Sequence, residues 1–176
     1  MKTVLSFWQF VGFVFTSVFG TVLHFLYNWT GKSILIAPFS AVNESIWEHM
    51  KLLYFPMLIF AFFQSRFFKS QYKNFWCAKL FGFLTGLILI PVLYYSYTGI
   101  LGISADWFNI LIFFIAAAMA YIVETNILKN NKRCLLPSNT SLGIIIVIGI
   151  IFVIFTFVPI KIPLFKDPIT GTYGVI

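Results

Sequence analysis

Two carboxylates, an imidazole and a hydroxyl fall within seven consecutive residues, Asn43-Glu44-Ser45-Ile46-Trp47-Glu48-His49, of a chain with only five acidic residues and two histidines. Groups of this kind bind cations or act as acid and base, and zinc takes such nitrogen and oxygen ligands while leaving a position open for water. Read as a helix, the segment sets Glu44 and Glu48 one turn apart on one face, with Lys51 continuing that stripe and Ser45 and His49 on a neighbouring one. His49 then stands ~100° around from Glu48, so one helix cannot aim both carboxylates and the imidazole at one point. A metal shared by Glu44, Glu48 and His49 therefore needs a donor from elsewhere, and His24 is the other histidine. The same residues also have a purely structural account. Asn43 caps the helix, Glu44 complements the positive end of its dipole, and Glu48 pairs with Lys51.

The elements that must position these groups are membrane spans. Hydrophobic residues make up 60% of the chain and charged ones 10%, against roughly 25% charge in a soluble domain. About 20 apolar residues cross a bilayer as a helix, and in lipid the backbone must satisfy its own hydrogen bonds. Apolar stretches over residues 5–27, 43–68, 76–97, 107–128 and 142–160 predict an all-α, polytopic transmembrane helix bundle in a single integral membrane domain. Pro56 predicts a kink in the second helix. Gly82 and Gly86 form a small-x-x-x-small spacing suited to a close helix contact. The tail, residues 161–176, has Asp167-Pro168 and Thr170-Gly171 as turn formers and Phe165 and Tyr173 as anchors, which predicts an ordered segment folded over one mouth.

Lys2, Arg66, Lys69, Lys73, Lys79, Lys129, Lys132 and Arg133 flank one set of span ends, eight in all, while Lys32, Lys51, Lys161 and Lys166 make four on the other. That excess predicts a cytoplasmic amino terminus, an extracytoplasmic carboxyl terminus and a multi-pass cell-membrane protein. Trp29, Trp47, Tyr94, Tyr95, Tyr97 and Trp107 then cluster at the outer interface, and Trp8 and Trp76 at the inner one. Cys77 and Cys134 fall on the cytoplasmic side, so no disulfide is expected. His24, Glu44, Glu48, His49, Asp106 and Asp167 gather on the outer side, leaving Glu124 near the inner end of the fourth helix, where it is expected to snorkel toward Lys129.

The net charge of +7 is spread over span flanks, so nucleic acid is not an expected partner. The bilayer is, and a membrane partner subunit or a second copy is a further candidate. No phosphate loop, nucleophile elbow, paired Cys/His motif or His-Glu-x-x-His element occurs, and no cofactor is expected beyond a divalent metal at His24, Glu44, Glu48 and His49.

His24-Phe-Leu-Tyr-x-Trp29-x-Gly31, Val42-Asn-Glu-Ser-x-Trp-Glu-His-x-Lys-Leu52 and Pro163-Leu-Phe-x-Asp-Pro-x-Thr-Gly-x-Tyr-Gly174 resemble a family of small bacterial multi-pass membrane proteins known only as a domain of unknown function. That resemblance covers essentially the full chain and implies no activity. The Asn/Glu/Trp/His-rich helix opening also resembles that of the adiponectin-receptor and ceramidase hydrolases, but their late His-x-x-x-His pair is missing here. Three functions follow as expectations. The first is binding of a small solute, lipid or partner subunit at the outer mouth by His24, Asn43, Glu44, Ser45, Trp47, Glu48, His49, Asp106 and Asp167. The alternatives are a metal-dependent hydrolase or transferase in the membrane, and a proton- or cation-coupled transporter using Glu48 and Glu124.

Overall fold

A computed structural model describes residues 2–130 and 134–175, and among them it holds five α-helices and no strand. They are α1 (Lys2–Trp29), α2 (Ile46–Phe68), α3 (Phe75–Leu101), α4 (Asp106–Lys129) and α5 (Ser138–Phe157), followed by a single 3-10 turn at Pro163–Phe165. Each of the five is long and apolar enough to cross a membrane. Lys132 and Arg133, two of the flanking charges, lie outside the described residues.

Helix α2 begins at Ile46 rather than near Asn43 because Ser45 takes the cap position. Its backbone is extended and its hydroxyl accepts from Glu48 N at 3.4 Å. Asn43 stands two residues before that cap, where its Oδ1 accepts from Ser45 N at 2.9 Å. The helix runs on through Pro56, as α3 does through Pro91.

Helix α2 is the central one. Of its most apolar stretch 72% is buried inside the bundle, against 28% for α1 and 22% for α5, and it touches all four other helices. Helices α3 and α4 pack closely along their length. Gly86 lies at that seam, where an added Cβ would come within 2.5 Å of Leu53 Cδ2 and 3.4 Å of Ala120 Cβ. Apolar contact alone gives helices in lipid little reason to associate, so polar links count. The Tyr54 hydroxyl donates to Ile145 O at 2.5 Å, tying α2 to α5, and Thr16 bonds Tyr121 at 2.8 Å, tying α1 to α4.

The structure corrects several expectations. Cys77 and Cys134 form a disulfide that binds the α4–α5 connection to the start of α3. Trp47 and Trp76 are core residues: Trp47 lies against Phe152 and Phe165, each at 4.5 Å between ring centres, and Trp76 against Phe62 at 5.3 Å. Glu124 does not snorkel. It is fully buried and pairs at 2.5 Å with Lys79, itself buried rather than a charge flanking the span end.

The tail is ordered, as its composition predicts. Phe165 is buried between Trp47 and Phe155, Lys166 and Tyr173 make a β-bridge, and the Asp167 carboxylate accepts from Ile169 N and the Thr170 hydroxyl. Asn43 Nδ2 reaches Gly174 O at 3.1 Å, so the tail docks beside the start of α2.

Candidate functional site

The segment between α1 and α2 is held down before it presents any chemistry. Gly31 and Lys32 have φ of 64° and 59°, which turns the chain back at the end of α1. Ser40 then sits on that helix end, its hydroxyl accepting from Tyr27 N at 3.0 Å and donating to Leu23 O. Lys51 reaches the loop from α2, donating to Ala37 O at 2.9 Å and to the Thr156 hydroxyl of α5 at 2.8 Å.

Lys51 also pairs with Glu48 at 2.6 Å, and both are buried. Glu48 Oε2 accepts from Val42 N at 3.0 Å as well. This pair is the one that i,i+3 spacing predicts, and its work is to tie loop, α2 and α5 together. Glu48 is thereby removed from the set of candidate metal ligands.

Glu44 is left where this framework puts it, in the loop one residue before the cap, facing α1 and α2 together. Its Oε1 lies 3.8 Å from His24 Nε2 and its Oε2 lies 3.4 Å from His49 Nε2. The two imidazoles are 5.4 Å apart between ring centres. One donor atom from each of His24, Glu44 and His49 falls within 4.8 Å of the others. The helical reading of the motif missed this because Glu44 precedes α2 and shares no stripe with Glu48.

The tautomer of His49 is set by its other nitrogen. Nδ1 stands 2.9 Å from Ser45 O, which can only accept, so Nδ1 carries the proton. Neutral His49 therefore turns the lone pair of Nε2 toward a carboxylate. Two acceptors at 3.4 Å attract only when a proton or a cation lies between them. The hydrogen bond with His49 is the main reason the Glu44 carboxyl is held below its ordinary range; burial opposes it, and the charges of His49 and His24 add to the lowering.

The remaining sequence candidates lie at this end of the bundle without joining the cluster. Ser45 and Asn43 position its backbone, Trp47 packs the tail, Asp167 closes a turn in the tail, and Asp106 opens α4 on an exposed turn. A separate cavity of about 410 Å³ lies between Ile46, Tyr94, Tyr95 and the tail residues Lys166 and Thr170. Ser40 and Thr156 were missed as site-builders, and nothing in a lone serine or threonine marks such a role. Lys51 was readable, because a lysine inside an apolar helix must find partners.

Residues 1–175 match the family described as "Family of unknown function (DUF6512)". The chain belongs to that family. No curated protein matches it, and no solved structure does. The membership covers the whole bundle and brings no activity with it, so function rests on the geometry of the cluster.

Proposed function

We propose that this member of the family is a multi-pass membrane protein that binds a divalent transition-metal ion at one mouth of its bundle through His24, Glu44 and His49. The observation that carries the reading is the spacing of the three donors. Tetrahedral bonds of about 2.1 Å put neighbouring ligand atoms about 3.4 Å apart; Glu44 meets His49 at 3.4 Å through one oxygen and His24 at 3.8 Å through the other, and one donor atom from each residue lies within 4.8 Å of the other two, so a small side-chain movement brings the three onto one ion. Two imidazoles and one carboxylate suit zinc and its first-row neighbours. The Nδ1–H bond from His49 to Ser45 O is the outer-shell contact that commonly orients such a ligand.

The side chains of His24, Glu44 and His49 are 27%, 42% and 26% exposed, so an ion exchanges with the aqueous phase rather than being sealed in. With Lys51 and Lys79 buried in ion pairs, the flanking count becomes seven basic residues at the far end against three here. That imbalance points to a metal mouth outside the cytoplasm, whereas the Cys77–Cys134 disulfide at the far end points the other way, so the metal reading takes no side of the membrane as given.

A hydrolase or transferase reading has one point in its favour, because three ligands leave a position for water. Binding fits better, since Glu48, the nearest second carboxylate in sequence, is spent on Lys51 and Val42. The transporter reading loses both its acids to lysines.

Thermal unfolding of the chelator-treated protein with added zinc, manganese or cobalt tests the reading. A ligand at a hundredfold over its Kd adds about 2.7 kcal/mol of stability. Wild type should gain stability with at least one ion, while His24→Ala and His49→Ala variants should gain none. Equal gains in all three proteins would remove the proposal.

A further inference from the structure

The tail does not lie flush on the bundle. Between it and α3 a cavity of about 410 Å³ stays open, bounded by Ile46 at the start of α2, Tyr94 and Tyr95 of α3, and Lys166 and Thr170 of the tail. No acidic residue lines it. The Lys166 ammonium and the Tyr94 and Tyr95 hydroxyls, which can all donate, have no hydrogen-bond or ion-pair partner among the described residues. Asp167, next in sequence to Lys166, is committed to its own turn: Oδ1 accepts from Ile169 N at 2.8 Å and Oδ2 from the Thr170 hydroxyl at 2.9 Å. An ammonium and two phenols with no acid among them suit a ligand that carries negative charge and several acceptor oxygens.

A second observation is the way in. Ile88, Val92 and Tyr95 follow one another at i, i+4 and i+7 on the surface of α3 and are 58%, 51% and 41% exposed. This apolar stripe runs along the span and ends at the cavity wall. Tyr95 stands less than two turns, about 9 Å, short of the helix end at Leu101, in the zone where tyrosines of interfacial belts meet lipid headgroups. The tail adds Ile169, 78% exposed, at the same mouth. An acyl chain lying on the stripe therefore brings its headgroup to the cavity.

We infer that the cavity beneath the tail holds the headgroup of an anionic glycerophospholipid, its phosphate against Lys166 and the tyrosine hydroxyls and one acyl chain along Ile88 and Val92. A lipid fits better than a free anion because the cavity wall is continuous with a lipid-facing stripe. An anionic headgroup fits better than a choline one because a choline ammonium would meet Lys166 with no acid beside it.

Native mass spectrometry of the full chain in detergent with equal amounts of phosphatidylglycerol and phosphatidylcholine tests this. One basic residue near a headgroup is worth about fivefold in affinity, so wild type should retain one phosphatidylglycerol at about that preference. Lys166 is exposed and its backbone alone is bonded within the tail, so Lys166→Gln should fold and bring the two lipids to equal retention. Ile169→Trp fills the mouth from an exposed position and should lower phosphatidylglycerol retention several-fold. Equal retention of the two lipids by wild type overturns the proposal, as does a preference unchanged in either folded variant. Displacement of the lipid by millimolar inorganic phosphate alone would also overturn it, by showing a site for free anions.

Discussion

His49 Nε2 and Glu44 Oε2 stand 3.4 Å apart although one belongs to α2 and the other to the loop before it. With Nδ1–H committed to Ser45 O, that contact is favourable only when a proton or an ion occupies it. Metal and proton therefore compete for one place, and metal uptake should release protons near neutral pH.

Glu44→Gln should abolish metal-dependent stabilisation with little change to the fold, because the side chain is 42% exposed. A titration in chelator isolates its electrostatic part. Glu44 is held below its ordinary value of 4.5, first by the hydrogen bond with His49. A depressed carboxylate contributes stability that is full above its unfolded pKa and is lost as pH falls through the folded one. The Tm difference between wild type and the variant should thus shrink in buffer more acidic than about pH 4.5, as Glu44 gains a proton, and shrink again in alkaline buffer, as His49 loses the proton the contact needs. A difference that grows as pH falls below 4.5 would contradict this sign.

Removing one member of the Lys79–Glu124 pair leaves a buried charge without its counterion. Lys79→Met should cost roughly 3–5 kcal/mol, and the double variant Lys79→Met/Glu124→Leu should recover most of that. Unfolding of both variants in mixed detergent measures the coupling. A double variant as unstable as the single one would show that the pair's geometry, rather than its charge balance, supports the bundle.

Gly82 is the seat of that glutamate, since a Cβ there would lie 2.6 Å from Glu124 Oε1. Gly82→Ala should therefore destabilise by about 1–3 kcal/mol through overpacking. Gly99, also in α3, has nothing within 4 Å of an added Cβ. Gly99→Ala should be neutral or stabilise by roughly 0.5–1 kcal/mol. Similar Tm values for the two variants would contradict the packing described.

The Cys77–Cys134 bond spans 57 residues. Closing such a loop restricts the unfolded chain by at most about 4 kcal/mol, and by less if helices persist after unfolding. Wild type should lose stability in reductant down to the level of Cys134→Ser, which should ignore reductant. A wild type equally stable in both buffers would show that the bond constrains nothing.

The five spans and the ordered tail were legible because long apolar runs and paired turn residues are local signals. The Glu48–Lys51 pair was legible for the same reason, at one helical turn. What sequence could not show directly was long-range pairing. Lys79 lies near the start of α3 and Glu124 near the end of α4, 45 residues apart, so they meet only when two antiparallel helices are brought together. Opposite charges at matching depth in two spans were the available signal. Trp47 and Trp76 misled because an indole near a span end suits either an interface or a core. The disulfide was missed because free thiols were inferred from sidedness, and it lies at the end with the basic excess, where that rule puts a reducing cytoplasm.

The most direct test of the metal site is X-ray absorption spectroscopy on protein loaded with zinc and freed of excess ion. One ion per chain is expected, with a first shell of nitrogen and oxygen at about 2.0–2.1 Å and two imidazole scattering signatures, both lost together with the ion in His24→Ala. A loaded protein with no imidazole signature, or one unchanged by that substitution, would contradict the assignment of His24, Glu44 and His49 as the ligands.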